Sequence, residues 1–133
     1  MVQSNNHCII LNSDFTEQND LDFYFSLTPT NLFCLDSMFY LSTLDGKLYR
    51  GDLTSSELKY ENVDFPVSDY TKIDDSYFIA GENKILVSND GINWNSYFSL
   101  NGGYVISLIK DENDFIVTFY KDLKLQIGRL NRN

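Results

Sequence analysis

Tyr77-Phe78-Ile79-Ala80 decides the fold, because the chain repeats it. At 38 residues to either side stand Phe39-Tyr40-Leu41-Ser42 and Phe115-Ile116-Val117-Thr118. The same offset aligns Ile10 with Leu48 and Leu86, Leu32 with Tyr70 and Leu108, and Asp36 with Asp74 and Glu112. It also aligns Asp14, Asp52 and Asp90, and it needs no gap. A fixed period between about 20 and 50 residues marks a solenoid, a propeller or another array, since one such unit cannot bury its apolar face alone.

Each copy reads as four short strands. In the second they are expected near Leu32–Leu35, Met38–Thr43, Lys47–Gly51 and Glu57–Val63. In the third they are expected near Tyr70–Ile73, Tyr77–Gly81, Lys84–Ser88 and Trp94–Leu100. The joints carry turn chemistry: Leu44-Asp45-Gly46, Glu82-Asn83 and Asn89-Asp90-Gly91 all favour tight reversals. Side chains alternate across a strand, so Phe39 and Leu41 face one way and Tyr40 and Ser42 the other. No apolar 3.6-residue pattern of helical length begins at a cap. The chain therefore reads as all-β, with β-propeller-like repeats of four-stranded antiparallel blades and about three and a half 38-residue units. As a single domain over residues 1–133, it divides into a partial blade (1–30), a blade (31–68), a second blade (69–106) and a partial blade (107–133).

Ser88-Asn89-Asp90-Gly91-Ile92-Asn93-Trp94 resembles the Asp-box, S-x-D-G-x-x-W, of the bacterial neuraminidase repeat and sialidase-type propellers. The chemistry suits a turn. A carboxylate accepts backbone N–H groups, Gly allows positive φ beside it, and Trp packs under the hairpin. Arg50-Gly51-Asp52-Leu53 and Asn12-Ser13-Asp14-Phe15 keep only the Asp and look like degenerate boxes; the fourth copy has Gln126-Ile127-Gly128 in that place. The resemblance implies a structural role for Ser88, Asp90, Gly91 and Trp94, on the blade edge and not in catalysis.

The resemblance carries over no catalytic set, which favours a binding protein over an enzyme. Sialidases need an arginine cluster with a Tyr/Glu pair and an Asp, and the only arginines here are Arg50, Arg129 and Arg132. His7, the single histidine, is expected on the surface, since a metal site needs several converging ligands. Cys34 has no evident His partner for nucleophilic chemistry. Asp111-Glu112-Asn113-Asp114 lacks EF-hand spacing and reads as a solvated turn. No cofactor or metal is expected.

Charge is distributed unevenly. The net charge is −9, and Met1 to Asp45 contains no Lys or Arg, while Asp14, Glu17, Asp20, Asp22, Asp36 and Asp45 contribute six negative charges. From Lys110 onward the net is +1. Direct nucleic-acid binding needs a basic face and is not expected. The acidic residues are instead a candidate surface for a basic protein partner, as in an inhibitor of a nucleic-acid enzyme from a virus or mobile element. No run of about 18 apolar residues suggests a membrane span, and the first residues lack the pattern of a signal peptide. The expected location is the cytoplasm, or the host cytoplasm for a viral protein. Cys8 and Cys34 are there expected to be free, buried thiols.

The partial blades at residues 1–30 and 107–133 raise a further expectation. Cys8–Asn12 and Leu21–Leu27 take the third and fourth strand positions; Val105–Lys110, Phe115–Tyr120 and Leu123–Leu130 take the first three. Two copies sharing blades head to tail would form a six-bladed ring of two-fold symmetry, so a homodimer is expected. The functional expectation is a non-enzymatic protein-binding module of propeller type. The alternative is a sugar-binding or glycoside-hydrolysing protein of sialidase-like fold, whose carboxylate spacing a sequence does not display.

Overall fold

Alternating apolar and polar residues separated by Asp- and Gly-bearing turns make strands throughout the computed structural model. It describes residues 5–11, 17–24, 29–52 and 58–131, the first two segments as backbone only. Among the described residues there are thirteen strands, all paired antiparallel, and no helix, so none long and apolar enough to cross a membrane. The chain divides into two compact units, Met1–Asp64 and Phe65–Asn133.

The first unit holds two sheets. Strands β1 (Asn5–Leu11) and β2 (Glu17–Tyr24) form a hairpin in which Asn5 faces Tyr24 and Ile10 faces Asn19. That ladder draws Glu17 to Asp20 into β2, ahead of the expected Leu21–Leu27. Backbone pairing admits these polar residues where propensity alone would not. Strands β3 (Pro29–Leu35), β4 (Met38–Thr43), β5 (Lys47–Asp52) and β6 (Lys59–Asn62) form a meander in that order. Phe33, Leu35, Phe39, Tyr40, Leu41, Leu48 and Tyr49 are its buried apolar side chains, and Phe33 stacks on Tyr40 with ring centroids 5.2 Å apart.

The second unit also holds two sheets. One is the meander β7 (Asp69–Ile73), β8 (Ser76–Gly81), β9 (Lys84–Ser88) and β10 (Asn95–Ser99). The other is β11 (Tyr104–Asp111), β12 (Asp114–Lys121) and β13 (Lys124–Leu130). The core lies between them: Ile73, Phe78, Ala80 and Ile85 from the first sheet meet Val105, Leu108, Phe115 and Val117 from the second. Phe78 sits edge-on to Phe115 at 4.6 Å and to Tyr97 at 5.1 Å. Burying aromatic and branched side chains on both facing surfaces is what holds a sheet pair together.

The 38-residue period is written into the hydrogen-bond ladder. Leu35 faces Met38, Ile73 faces Ser76 and Asp111 faces Asp114, each pair 38 residues beyond the last. The turns between them open on Asp36, Asp74 and Glu112, whose φ values are 49°, 53° and 55°. Asp tolerates this left-handed region better than most residues, which is why the turn is so often acidic here. The bulges agree: the extra residue is Thr30 in β3 and Ile106 in β11, two periods on.

The second hairpins do not keep the period. Three residues join β4 to β5, and two join β8 to β9. Strands β12 and β13 then run two residues further before their turn at Asp122 and Leu123. A gap-free alignment therefore slips in the third strands. By cross-strand partner, Leu48 (facing Ser42), Ile85 (facing Ala80) and Ile127 (facing Thr118) are equivalent. Gln126-Ile127-Gly128 consequently lies inside β13, opposite Phe119, Thr118 and Val117, and not at a turn.

Candidate functional site

The Asp90 turn is built from its own side chains. Ser88, buried at the end of β9, offers Oγ to the N–H of Gly91 at 2.8 Å and of Asp90 at 3.3 Å, and donates to Asp90 Oδ1 at 2.9 Å. Asp90 Oδ1 also accepts the N–H groups of Ile92 and Asn93 at 2.9 and 2.8 Å, and Oδ2 accepts Asn93 Nδ2 at 2.7 Å. The N–H of Asn93, then that of Ile92, hold the Asp90 carboxyl well below the usual carboxylate range. Gly91 supplies a φ of 73°. Trp94 is half-buried, and its indole Nε1 is shielded from solvent without a hydrogen-bond partner among the described residues. With every acceptor of Asp90 turned toward its own loop, this arrangement fixes a turn; it offers no free acid or base.

The other box position differs. Asp52 closes β5 opposite Met38, half-buried, and by cross-strand partner corresponds to Asn89 and not to Asp90. Asp14 lies outside the described residues, as do the side chains of Glu17, Asp20 and Asp22.

Asp36 and Asp45 stand in turns at opposite ends of β4, about 20 Å apart at the rise of a strand, so the structure does not gather them into one patch. Asp36 takes the positive φ of its turn. Asp45 accepts the Thr43 hydroxyl and pairs with Lys47 at 3.5 Å. The Asp45 carboxylate serves its own hairpin.

The arginines are committed in the same way. Arg50 holds Glu61 at 3.0 Å across β5 and β6. Arg129 bonds Asp111 and reaches Asp114 at 3.4 Å, so two carboxylates of the acidic turn meet a guanidinium from β13. Arg132, the side chain of His7 and the side chain of Cys8 lie outside the described residues. Among the described residues no group of three or more His, Cys, Asp or Glu converges as a metal site would require. Cys34 is a free thiol, and it is exposed, not buried. Strand alternation explains the correction: Phe33 and Leu35 take the buried face of β3, leaving Cys34 with Leu32 on the other.

Three features were not legible beforehand. Asp69 Oδ2 accepts the N–H of Leu108 at 2.7 Å, tying β7 to β11. A cavity of about 160 Å³ is lined by Phe98, Val105, Val117, Phe119, Gly128 and Leu130. The third is the far face of the β11–β13 sheet. There Tyr104 lies over Tyr120 with centroids 5.5 Å apart, and Leu125 and Ile127 of β13 point to solvent. Alternation would have put Leu125 and Ile127 on one face, but only the packed structure tells which face is covered.

No family model and no curated protein matches the chain. Among solved structures, the computationally designed Ika4 protein is similar to it. The TM-score is 0.59 at 12% identity, over 87% of this chain and 74% of that one. At that identity the likeness is one of fold alone. Fold and geometry together define a class: an all-β protein of successive antiparallel sheets with a common hairpin register.

Proposed function

We propose that the protein is a non-enzymatic protein-binding module of β-propeller type, with each antiparallel sheet a blade and the Ser88–Trp94 turn an Asp-box. The observation that carries this reading is the hairpin register that β3–β6, β7–β10 and β11–β13 share at 38-residue intervals, with an apolar face of the last sheet left exposed where the other two bury the same face. The Asp90 hydrogen bonds support a structural box, and the engagement of Arg50 and Arg129 with carboxylates supports binding over catalysis. A net charge of −9 favours a partner with a basic surface, such as a nucleic-acid enzyme that the protein would inhibit from a virus or mobile element. An exposed free thiol at Cys34 suits a reducing cytoplasm. A six-bladed ring of two copies is the assembly this reading favours; among the described residues β13 pairs with β12 alone, which leaves an edge for a fourth strand.

The test is a binding and inhibition panel of purified nucleic-acid enzymes, run beside a glycan array and a glycosidase panel. Salt-sensitive capture and inhibition of one such enzyme is the expected result. Turnover of a glycoside, or glycan binding with no enzyme inhibited, would overturn the reading.

A further inference from the structure

The sheets β3–β6, β7–β10 and β11–β13 present one face three times over. In the first, Phe33, Tyr40, Ser42 and Leu48 occupy it, and all are buried. In the second, Phe78, Ala80 and Ile85 occupy it and are buried under the β11–β13 sheet, where Phe78 meets Phe115. In the third, the equivalent positions by cross-strand partner are Ile116, Thr118 and Ile127, and Ile127 is 70% exposed. Around it Ile109 is 51%, Tyr104 51% and Leu125 64% exposed. A strand that alternates apolar on both sides is built to be covered on both sides. An open apolar face of this kind marks an interaction site.

We propose that this face of the β11–β13 sheet stacks against a sheet of a second copy of the chain. The inference rests on the propeller-type reading above and adds a contact to the edge that β13 leaves open: face to face, through Ile109, Leu125 and Ile127. Two observations select that occupant. The cover that the repeat places on the equivalent face of β7–β10 is itself a sheet of the same repeat, 38 residues on. A second copy carries such sheets, already shaped to this register and twist. Charge agrees: the segment from Lys110 onward is net positive, whereas Met1 to Asp45 carries six acidic residues and no Lys or Arg. A head-to-tail contact would join opposite signs, which guides encounter and register.

The experiment is sedimentation velocity on the full chain at micromolar concentration, with Ile127→Asp and, as a control elsewhere on the surface, Leu44→Asp. Both positions are exposed, so neither substitution removes core packing, and an unchanged far-UV spectrum and cooperative melt verify the fold. The expected result is a dimer for wild type and Leu44→Asp, with self-association weakened roughly tenfold or more in Ile127→Asp. A wild type that is monomeric throughout overturns the self-docking proposal. So does an Ile127→Asp variant that dimerises like wild type, the outcome expected of strand exchange at the edge alone. Either failure leaves the binding-module reading standing, because enzyme inhibition is measured separately and on a different partner.

Discussion

Asp69 and Leu108 are joined across two sheets: the Leu108 N–H on β11 donates to Asp69 Oδ2 on β7 at 2.7 Å. The other oxygen of Asp69 accepts the Tyr70 N–H at 2.8 Å, so one carboxylate anchors its own strand and the next sheet. The bulge at Ile106 interrupts pairing with β12, and it is beside this bulge that β11 turns an amide toward β7. Replacing Asp69 with Ala removes the carboxylate that accepts from two backbone donors in a half-buried place. Asp69→Ala is expected to cost about 1–3 kcal/mol, and Asp69→Asn less, because one acceptor survives. Urea unfolding followed by far-UV circular dichroism measures both, and an Ala variant as stable as wild type would remove the bond from the account.

That bond also shows where sequence reasoning stops. The first hairpins were readable because each signal was local: Asp36, Asp74 and Glu112 mark a turn between strands that alternate visibly. Asp69 meets a backbone amide 39 residues away, and a backbone amide leaves no mark on the residue that carries it. The third strands misled for a different reason. Their turns differ in length, so the counterpart of Ile85 is Ile127, while equal spacing points to Leu123. Asp90 was legible as a turn residue because Ser88 and Gly91, its neighbours in sequence, are also its neighbours in space.

Phe78 is the centre of the packing between sheets, with Tyr97 and Phe115 edge-on to it. Phe78→Ala removes a ring that no neighbour can replace, and about 3–5 kcal/mol of stability should go with it. Leu44→Ala, on an exposed turn, should fall within about 0.5 kcal/mol of wild type. Thermal melts of the two variants, side by side, separate core from surface; equal losses would mean the core has been placed wrongly.

Gly81 and Gly128 predict opposite outcomes for the same substitution. A Cβ at Gly81 would fall well inside contact distance of the Phe65 ring and the Pro66 carbonyl oxygen, and the carbonyl belongs to a backbone that cannot swing aside. Gly81→Ala should therefore cost about 1–3 kcal/mol through overpacking. At Gly128 the nearest atom is Phe119 Cε1 at 3.6 Å, an ordinary contact, and the residue borders the 160 Å³ cavity. Gly128→Ala should stabilise by about 0.5–1 kcal/mol, since it restricts the unfolded chain and begins to fill the space. Chemical denaturation checks the pair; destabilisation by both would show that the cavity is needed open.

Asp90 gives the fold a pH dependence whose sign follows from its hydrogen bonds. The folded state holds the Asp90 carboxyl below its ordinary range, chiefly through the N–H groups of Asn93 and Ile92. The unfolded chain lacks that loop, so its carboxyl titrates near the usual value of about 3.9. The unfolded state then binds more protons, and the contribution of Asp90 is present above about pH 4 and is lost as the pH falls through the folded pKa. Asp90→Asn removes the titration while keeping a side chain that can accept one amide. The variant is expected to be less stable than wild type at neutral pH, and the gap should close as the pH is lowered from about 5 to about 2. Paired melts across that interval read the difference directly, and because every other carboxylate titrates in both proteins, it isolates Asp90. A gap that stays constant with pH would mean that the neutral side chain holds the turn as well as the charged one does.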